Sequence, residues 1–195
     1  MLGHYKAPLH RLFDPVARLL LHLGARPNHL TVLGLGVSVA AAYVFAAGQL
    51  RAGAALLAVA GLFDFFDGAV ARLAGSDSDY GAFLDSVVDR YSDVAVLLGV
   101  LVYYQQRGDT AGAVLTMATL AGTVMTSYTK ARAQSIGVRC DIGMIERPER
   151  LIALIAGGTF HLLTPVMALL AVLTNFTALQ RIIYTRRIAR DTSLR

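Results

Sequence analysis

Five aspartates stand at helical spacing in the chain: Asp64 and Asp67 three residues apart, then Asp85, Asp89 and Asp93 at steps of four. On an α-helix, positions three or four apart share a face, so each set forms one acidic stripe. Both stripes border apolar stretches, where ionised carboxylates are costly and repel one another unless a cation neutralises them. Helix capping at an interface does not account for an acidic stripe three turns long. All-oxygen ligands with no His or Cys nearby favour a hard divalent ion, Mg²⁺ or Mn²⁺, and four carboxylates suit two such ions. Two chemistries are open to such a site: metal-assisted catalysis, or passage of cations across a membrane. A cation transporter would spread its acids through the bilayer depth, whereas these gather near one edge.

A second constellation is basic. Ser127, Lys130, Arg132, Arg147 and Arg150, joined by Arg181, fall on the same side of the apolar segments as the aspartates. The cluster is richer in positive charge than membrane orientation requires, and it suits a ligand that carries its own phosphate.

These residues need a scaffold, and composition says which. Of the 195 residues 55% are hydrophobic and the mean hydropathy is positive, more apolar surface than a soluble core of this size can bury. Apolar stretches over 30–47, 52–70, 82–104 and 111–131 each approach the ~20 residues that a bilayer demands. From 151 to 183 the chain is apolar for too long to be one span, and His161 to Pro165 is the natural break. A fifth helix is expected from near Pro148 and a sixth over 165–186. The expectation is an all-α membrane protein of six transmembrane helices, preceded by an interfacial amphipathic helix over 8–24 whose apolar face carries Leu9, Leu12, Phe13, Val16, Leu19, Leu20 and Leu23. No linker or internal period divides the chain, so a single domain is expected, with 1–26 as interfacial helix and lead-in and 27–190 as the core.

Charge agrees with that topology. The net charge of +5 is concentrated at one face, from Lys6 and Arg26 through Arg72, Lys130 and Arg150 to Arg181 and Arg190, while the opposite loops hold Arg51 and Arg107. The rich face is expected to be cytoplasmic, in a multi-pass protein of the cell membrane. Basic residues placed between apolar stretches argue against nucleic acid as a partner. The single cysteine, Cys140, excludes an internal disulfide and any Cys-rich metal site. Residues 1–26 lack the short apolar region and cleavage site of a removable signal peptide.

Read in order, Asp64-Phe65-Phe66-Asp67-Gly68-Ala69-Val70-Ala71-Arg72, then Gly81, Asp85 and Asp89, match the pattern D-x2-D-G-x2-A-R-x8-G-x3-D-x3-D. By this pattern the chain resembles the CDP-alcohol phosphotransferase family of membrane enzymes. The resemblance implies that Asp64, Asp67, Asp85 and Asp89 ligate two metal ions, that Asp89 also takes the proton of the attacking hydroxyl, and that Gly68, Arg72, Ser78 and Gly81 bind the CDP-linked donor. It further implies CDP-diacylglycerol as donor, membrane lipids as surroundings, and a homodimer.

A narrower likeness is carried by Ser127-Tyr128-Thr129-Lys130-Ala131-Arg132-Ala133, Gly137, Ile145-Glu146-Arg147-Pro148-Glu149-Arg150-Leu151 and Gln180-Arg181. These segments resemble phosphatidylinositol-phosphate synthases. That resemblance implies a phosphorylated alcohol, inositol 1-phosphate, as acceptor, with Ser127, Lys130, Arg132, Arg150 and Arg181 around its phosphate and Asp93 near the ring. Glycerol 3-phosphate is the alternative acceptor. The linker Gly75-Ser76-Asp77-Ser78-Asp79-Tyr80-Gly81 is more acidic than the glycine- and threonine-rich one of those synthases, and Pro27-Asn28-His29-Leu30-Thr31 is an opening motif general to the wider family.

Overall fold

Three-residue turns centred on a left-handed residue organise the chain. The computed structural model describes residues 15–75 and 78–193. A helical segment over 15–22 (α1) leads into α2 (Pro27–Ala46), α3 (Leu50–Ala74), α4 (Asp79–Gln106), α5 (Thr110–Ser135), α6 (Arg147–Thr159) and α7 (Leu163–Ser193). The turns between α2 and α3, α4 and α5, and α6 and α7 place Gly48, Gly108 and His161 at φ 79°, 66° and 58°. In each, the next amide reaches back into the last helical turn: Gln49 to Val44, Asp109 to Tyr104 and Leu162 to Gly157. This is the Schellman closure, which satisfies carbonyls that a helix end leaves free and reverses the chain within one turn. The result is three helical hairpins with their tight turns at one end.

Packing orders the hairpins around the α2, α3 and α4 group. Helix α2 lies against both α3 and α4; α4 meets α5, α5 meets α7, and α6 fits between α3 and α7. Among the described residues α3 and α4 make no close backbone approach to each other, so a gap opens between them that only side chains can fill. Phe45, Leu57, Val96, Val100, Met167 and Leu170 form the buried core. Small residues bring the backbones together: a Cβ on Gly99 would collide with the backbone of Ala42, and one on Gly122 with Thr174 and Asn175. Such contacts are the usual adhesive in lipid, where burial of apolar surface supplies no drive. Large apolar side chains point outward instead, among them Val32, Val39, Leu62, Val114, Val172 and Ile183.

All described elements are helices, and four of them, Pro27–Ala46, Leu50–Ala74, Thr110–Ser135 and Leu163–Arg190, are long and apolar enough to cross a membrane. Six helices therefore stand where six were expected, with four meeting the length and hydropathy of a span. Helix α4 has the length, at 28 residues, but its N-terminal part holds the carboxylate stripe. Helix α6 has 13 residues, about 20 Å at the usual rise. The helices also outrun the apolar stretches at the basic end, α3 to Ala74 and α5 to Ser135, because polar residues continue the hydrogen-bonded spiral past the hydrocarbon boundary. The last turn falls over 160–162, slightly before the expected break, and Pro165 sits in the first turn of α7, where its missing N–H is no loss. Of the expected interfacial helix, residues 8–14 lie outside the described residues. Within α1, Ala17 is buried and Leu20 and Leu21 pack on Leu30 and Val70, leaving Val16, Leu19 and Leu23 exposed. Ser76 and Asp77 of the acidic linker also lie outside the described residues.

Candidate active site

Asp64 and Asp67 project from the second half of α3, and Asp85, Asp89 and Asp93 from the N-terminal part of α4, so the two stripes face each other across the α3–α4 gap. Carboxylate oxygens of Asp64, Asp67 and Asp85 lie within 4.8 Å of one another. Asp67 is 5% exposed, and its Oδ2 accepts a hydrogen bond of 2.7 Å from the hydroxyl of Thr31 on α2. That bond ties the carboxylate to a second helix. Asp85 Oδ1 is buried with no hydrogen-bond partner, an arrangement that is costly unless something positive completes it. Hard oxygen donors, an unsatisfied buried carboxylate and three ligands from two rigid helices fit a divalent cation such as Mg²⁺ or Mn²⁺.

Asp89, the fourth expected ligand, is held differently. Nη1 of Arg147 contacts Asp89 Oδ1 at 2.8 Å and also contacts Asp64, while its Nε is 3.7 Å from Asp93 Oδ1. Asp89 also has Arg90 Nη1 at 3.7 Å. Asp93 is paired with Arg150, whose Nη2 donates to Oδ2 at 2.7 Å. Five carboxylates thus face two largely buried guanidinium groups, which leaves an excess of negative charge.

The start of α6 aims both arginines. Glu149 reaches back to the Glu146 amide at 3.1 Å, a capping box around Pro148 that fixes where the helix begins. Arg147 and Arg150, three apart, then share the face that looks at α4.

Two sizeable cavities adjoin the aspartates. The larger, about 680 Å³, is lined by Asp67, Gly68, Ser78, Gly81 and Asp85 together with Ala25 to His29, Thr31 and Leu21. It brings together all the expected donor-binding residues except Arg72, whose Nη1 lies 3.4 Å from where a Cβ on Gly68 would sit. Ser78 caps α4 by accepting from the Gly81 amide at 3.0 Å, so its oxygen is engaged and its proton is left to donate. At Gly81 a Cβ would press on Ser78 Oγ at 3.1 Å, so a larger residue there would have to displace the capping hydroxyl.

The second cavity, about 210 Å³, is lined by Asp89, Asp93, Ser127, Lys130, Arg147, Arg150 and Arg181, among others. Lys130 pairs with Asp141 at 3.5 Å. Arg181 is 4% exposed and donates to the carbonyls of Ile142 and Thr126 at 2.8 and 2.7 Å, so it ties α7 to the loop before α6 as well as lining the cavity. Arg132 is not brought to this cavity. It is exposed, and its Nη1 donates to Ser135 one turn further along α5.

Sequence reasoning did not assign roles to Thr31, Arg26, Asn28 or His29, although the Pro27-Asn28-His29-Leu30-Thr31 run was the signal available. Nor did it place Arg147 among the carboxylates.

The family model for CDP-alcohol phosphatidyltransferases matches residues 25–183. The chain is 36% identical over 190 residues to the archaetidylinositol phosphate synthase of Methanothermobacter thermautotrophicus, covering 94% of this chain and 93% of that one. The crystal structure of the phosphatidylinositol phosphate synthase of Mycobacterium tuberculosis with CDP-DAG bound is similar at a TM-score of 0.81 and 39% identity, over 90% of this chain and 94% of that chain. The same enzyme in complex with manganese and citrate gives a TM-score of 0.81 and 39% identity over 88% of each chain. The family match takes in the Thr31 support, both carboxylate helices and every cation of the smaller cavity, and on that ground the chain belongs to the CDP-alcohol phosphatidyltransferase family and is a membrane-associated enzyme of that class.

Proposed function

We propose that this enzyme transfers the phosphatidyl group of CDP-diacylglycerol to a hydroxyl of inositol 1-phosphate, releasing CMP. The observation that carries the reading is the shared wall: one face of the aspartate cluster lines the larger cavity and the other face lines the basic one. A diphosphate in the larger cavity and a phosphorylated alcohol in the smaller would meet across the carboxylates. The relatives support both halves. One structure carries CDP-DAG, and the two named enzymes share inositol phosphate in their names while differing in the lipid.

In this reading Asp64, Asp67, Asp85 and Asp89 hold two ions, Mg²⁺ or Mn²⁺, which when bound neutralise the diphosphate and the departing CMP. Gly68, Arg72, Ser78 and Gly81 receive the donor, with Asn28 and His29 lining the same cavity. Ser127, Lys130, Arg150 and Arg181 receive the acceptor's phosphate, Asp93 orients Arg150 and the ring, and Arg132 contributes positive charge at the rim. The acceptor oxygen bonds to the lipid-side phosphorus, the bond from that phosphorus to the CMP oxygen breaks, and the hydroxyl proton passes to Asp89.

The same reading takes all six long helices as crossing the bilayer in a single domain, α6 completing its crossing with the turn at 160–162, and both termini on the cytoplasmic side with the basic residues and the site. The exposed Val16 and Leu19 of α1, and Leu23 just after it, would rest in the membrane interface. A homodimer, implied by the resemblance, belongs to the same reading.

Release of CMP by purified enzyme with CDP-diacylglycerol and Mg²⁺ tests the acceptor, with inositol 1-phosphate, glycerol 3-phosphate, free inositol and serine compared in parallel. Release with inositol 1-phosphate alone is expected. Release with glycerol 3-phosphate in its place would overturn the assignment.

A further inference from the structure

We infer that Arg147 is an internal counter-ion which the aspartate cluster exchanges for divalent cations, and that the freed guanidinium then becomes a ligand of the acceptor's phosphate. The inference rests on the reading of the two sites given above and adds a coupling between them.

Three observations carry it. First, Arg147 Nη1 contacts Asp64 from α3 and Asp89 from α4 at once. It therefore bridges the two helices between ligands that a bound cation would share, and a guanidinium and a divalent ion cannot both occupy that position. Second, the pose is incomplete: Arg147 Nε is buried without a hydrogen-bond partner, its nearest acid oxygen being 3.7 Å away on Asp93. An arginine at its final destination would satisfy a planar fork of donors, as phosphate oxygens do. Third, Arg147 lines the basic cavity as well as the small void beside Asp64, Asp67 and Asp89. Its side chain starts at the first residue of α6, so a rotamer change alone carries the charge from one to the other, with the helix held still by its capping box.

Linkage follows. If Arg147 must leave the aspartates before cations load, and a phosphate in the basic cavity holds it once it has left, each ligand favours the other by the same factor. In the absence of phosphate the arginine competes with the metal. In its presence the arginine is withdrawn from competition.

The test is Mn²⁺ binding, read as free Mn²⁺ by electron paramagnetic resonance, with and without inositol 1-phosphate and, separately, inorganic phosphate. The wild type is expected to bind Mn²⁺ at least about fivefold more tightly when either anion is present. Arg147→Gln is expected to bind Mn²⁺ about tenfold more tightly than the wild type without anion, and to lose most of the anion effect. Arg147→Lys keeps a positive charge without the two-sided fork and should fall between, which preserves the test if the Gln variant does not fold. Mn²⁺ affinity in Arg147→Gln equal to or weaker than wild type, or an anion effect of unchanged size, would overturn the inference. Asp85→Asn keeps the outcomes apart: if it binds Mn²⁺ as the wild type does, the metal site itself is misassigned, whereas its loss of Mn²⁺ together with unaltered behaviour of Arg147→Gln leaves the metal site standing and removes the exchange.

Discussion

Asp67 owes its orientation to Thr31, a residue on another helix and 36 positions away in sequence. Removing that donor with Thr31→Val keeps the shape and unties the carboxylate, so Mn²⁺ affinity should fall about 10–100-fold. Titration with Mn²⁺ measures it, and wild-type affinity in the variant would show that the bond is incidental. At the other cavity, Arg150→Ala should raise the acceptor's KM by tenfold or more, at about 1.4 kcal/mol per tenfold, with a smaller change in kcat. Arg132→Ala should shift KM less, because Arg132 is bound to Ser135 and stands outside the cavity; steady-state kinetics of the pair separates the two roles, and equal effects would contradict them. The aspartates were legible in the sequence because helical periodicity alone aligns them. Thr31 was not, since a threonine inside an apolar helix reads as packing until its tertiary partner is known, and Arg147 was legible as a cation but not as a partner of Asp64 and Asp89.

Helix ends were read to within a few residues wherever the chain marks them. Gly48 and Gly108 announce their turns, and Pro148 and Glu149 announce the start of α6. The last turn, read from the His161 to Pro165 break, carries no glycine: His161 takes a left-handed φ of 58° that a side chain disfavours by about 1–2 kcal/mol. His161→Gly should relieve part of that strain and raise the melting temperature in detergent with CMP release unaltered; a lower melting temperature would mean that the imidazole makes a stabilising contact. Close helix approach is a second property of elements. Gly99→Leu would drive a side chain into the backbone of Ala42 and part α2 from α4. Loss of about 1–3 kcal/mol of stability is expected, together with loss of activity, since α2 carries Thr31 and α4 carries Asp85; a stable, active variant would count against this packing. The extension of α3 and α5 beyond their apolar stretches was not legible, because hydropathy marks the bilayer boundary and not the end of the hydrogen-bonded spiral.

At the scale of the whole molecule, three hairpins with tight turns at one end leave the charged end open between α3, α4 and α6. The topology predicts that, in a Cys140→Ala background in intact cells, Gln49→Cys reacts with a membrane-impermeant maleimide and Arg187→Cys does not; the reverse pattern would invert the orientation. Composition made the membrane environment legible, but not the space between α3 and α4, which depends on α2 packing against both. In the proposed function the aspartates of this gap hold the cations on which phosphatidyl transfer depends. The most direct test of that role is CMP release from CDP-diacylglycerol and inositol 1-phosphate by the wild type, Asp67→Asn and Asp85→Asn, each with Mn²⁺ and with chelator. Activity is expected only in the wild type with Mn²⁺, with the variants reduced by about 10³-fold or more yet inserted and folded; release by either variant near the wild-type rate, or by the wild type in chelator, would contradict the account.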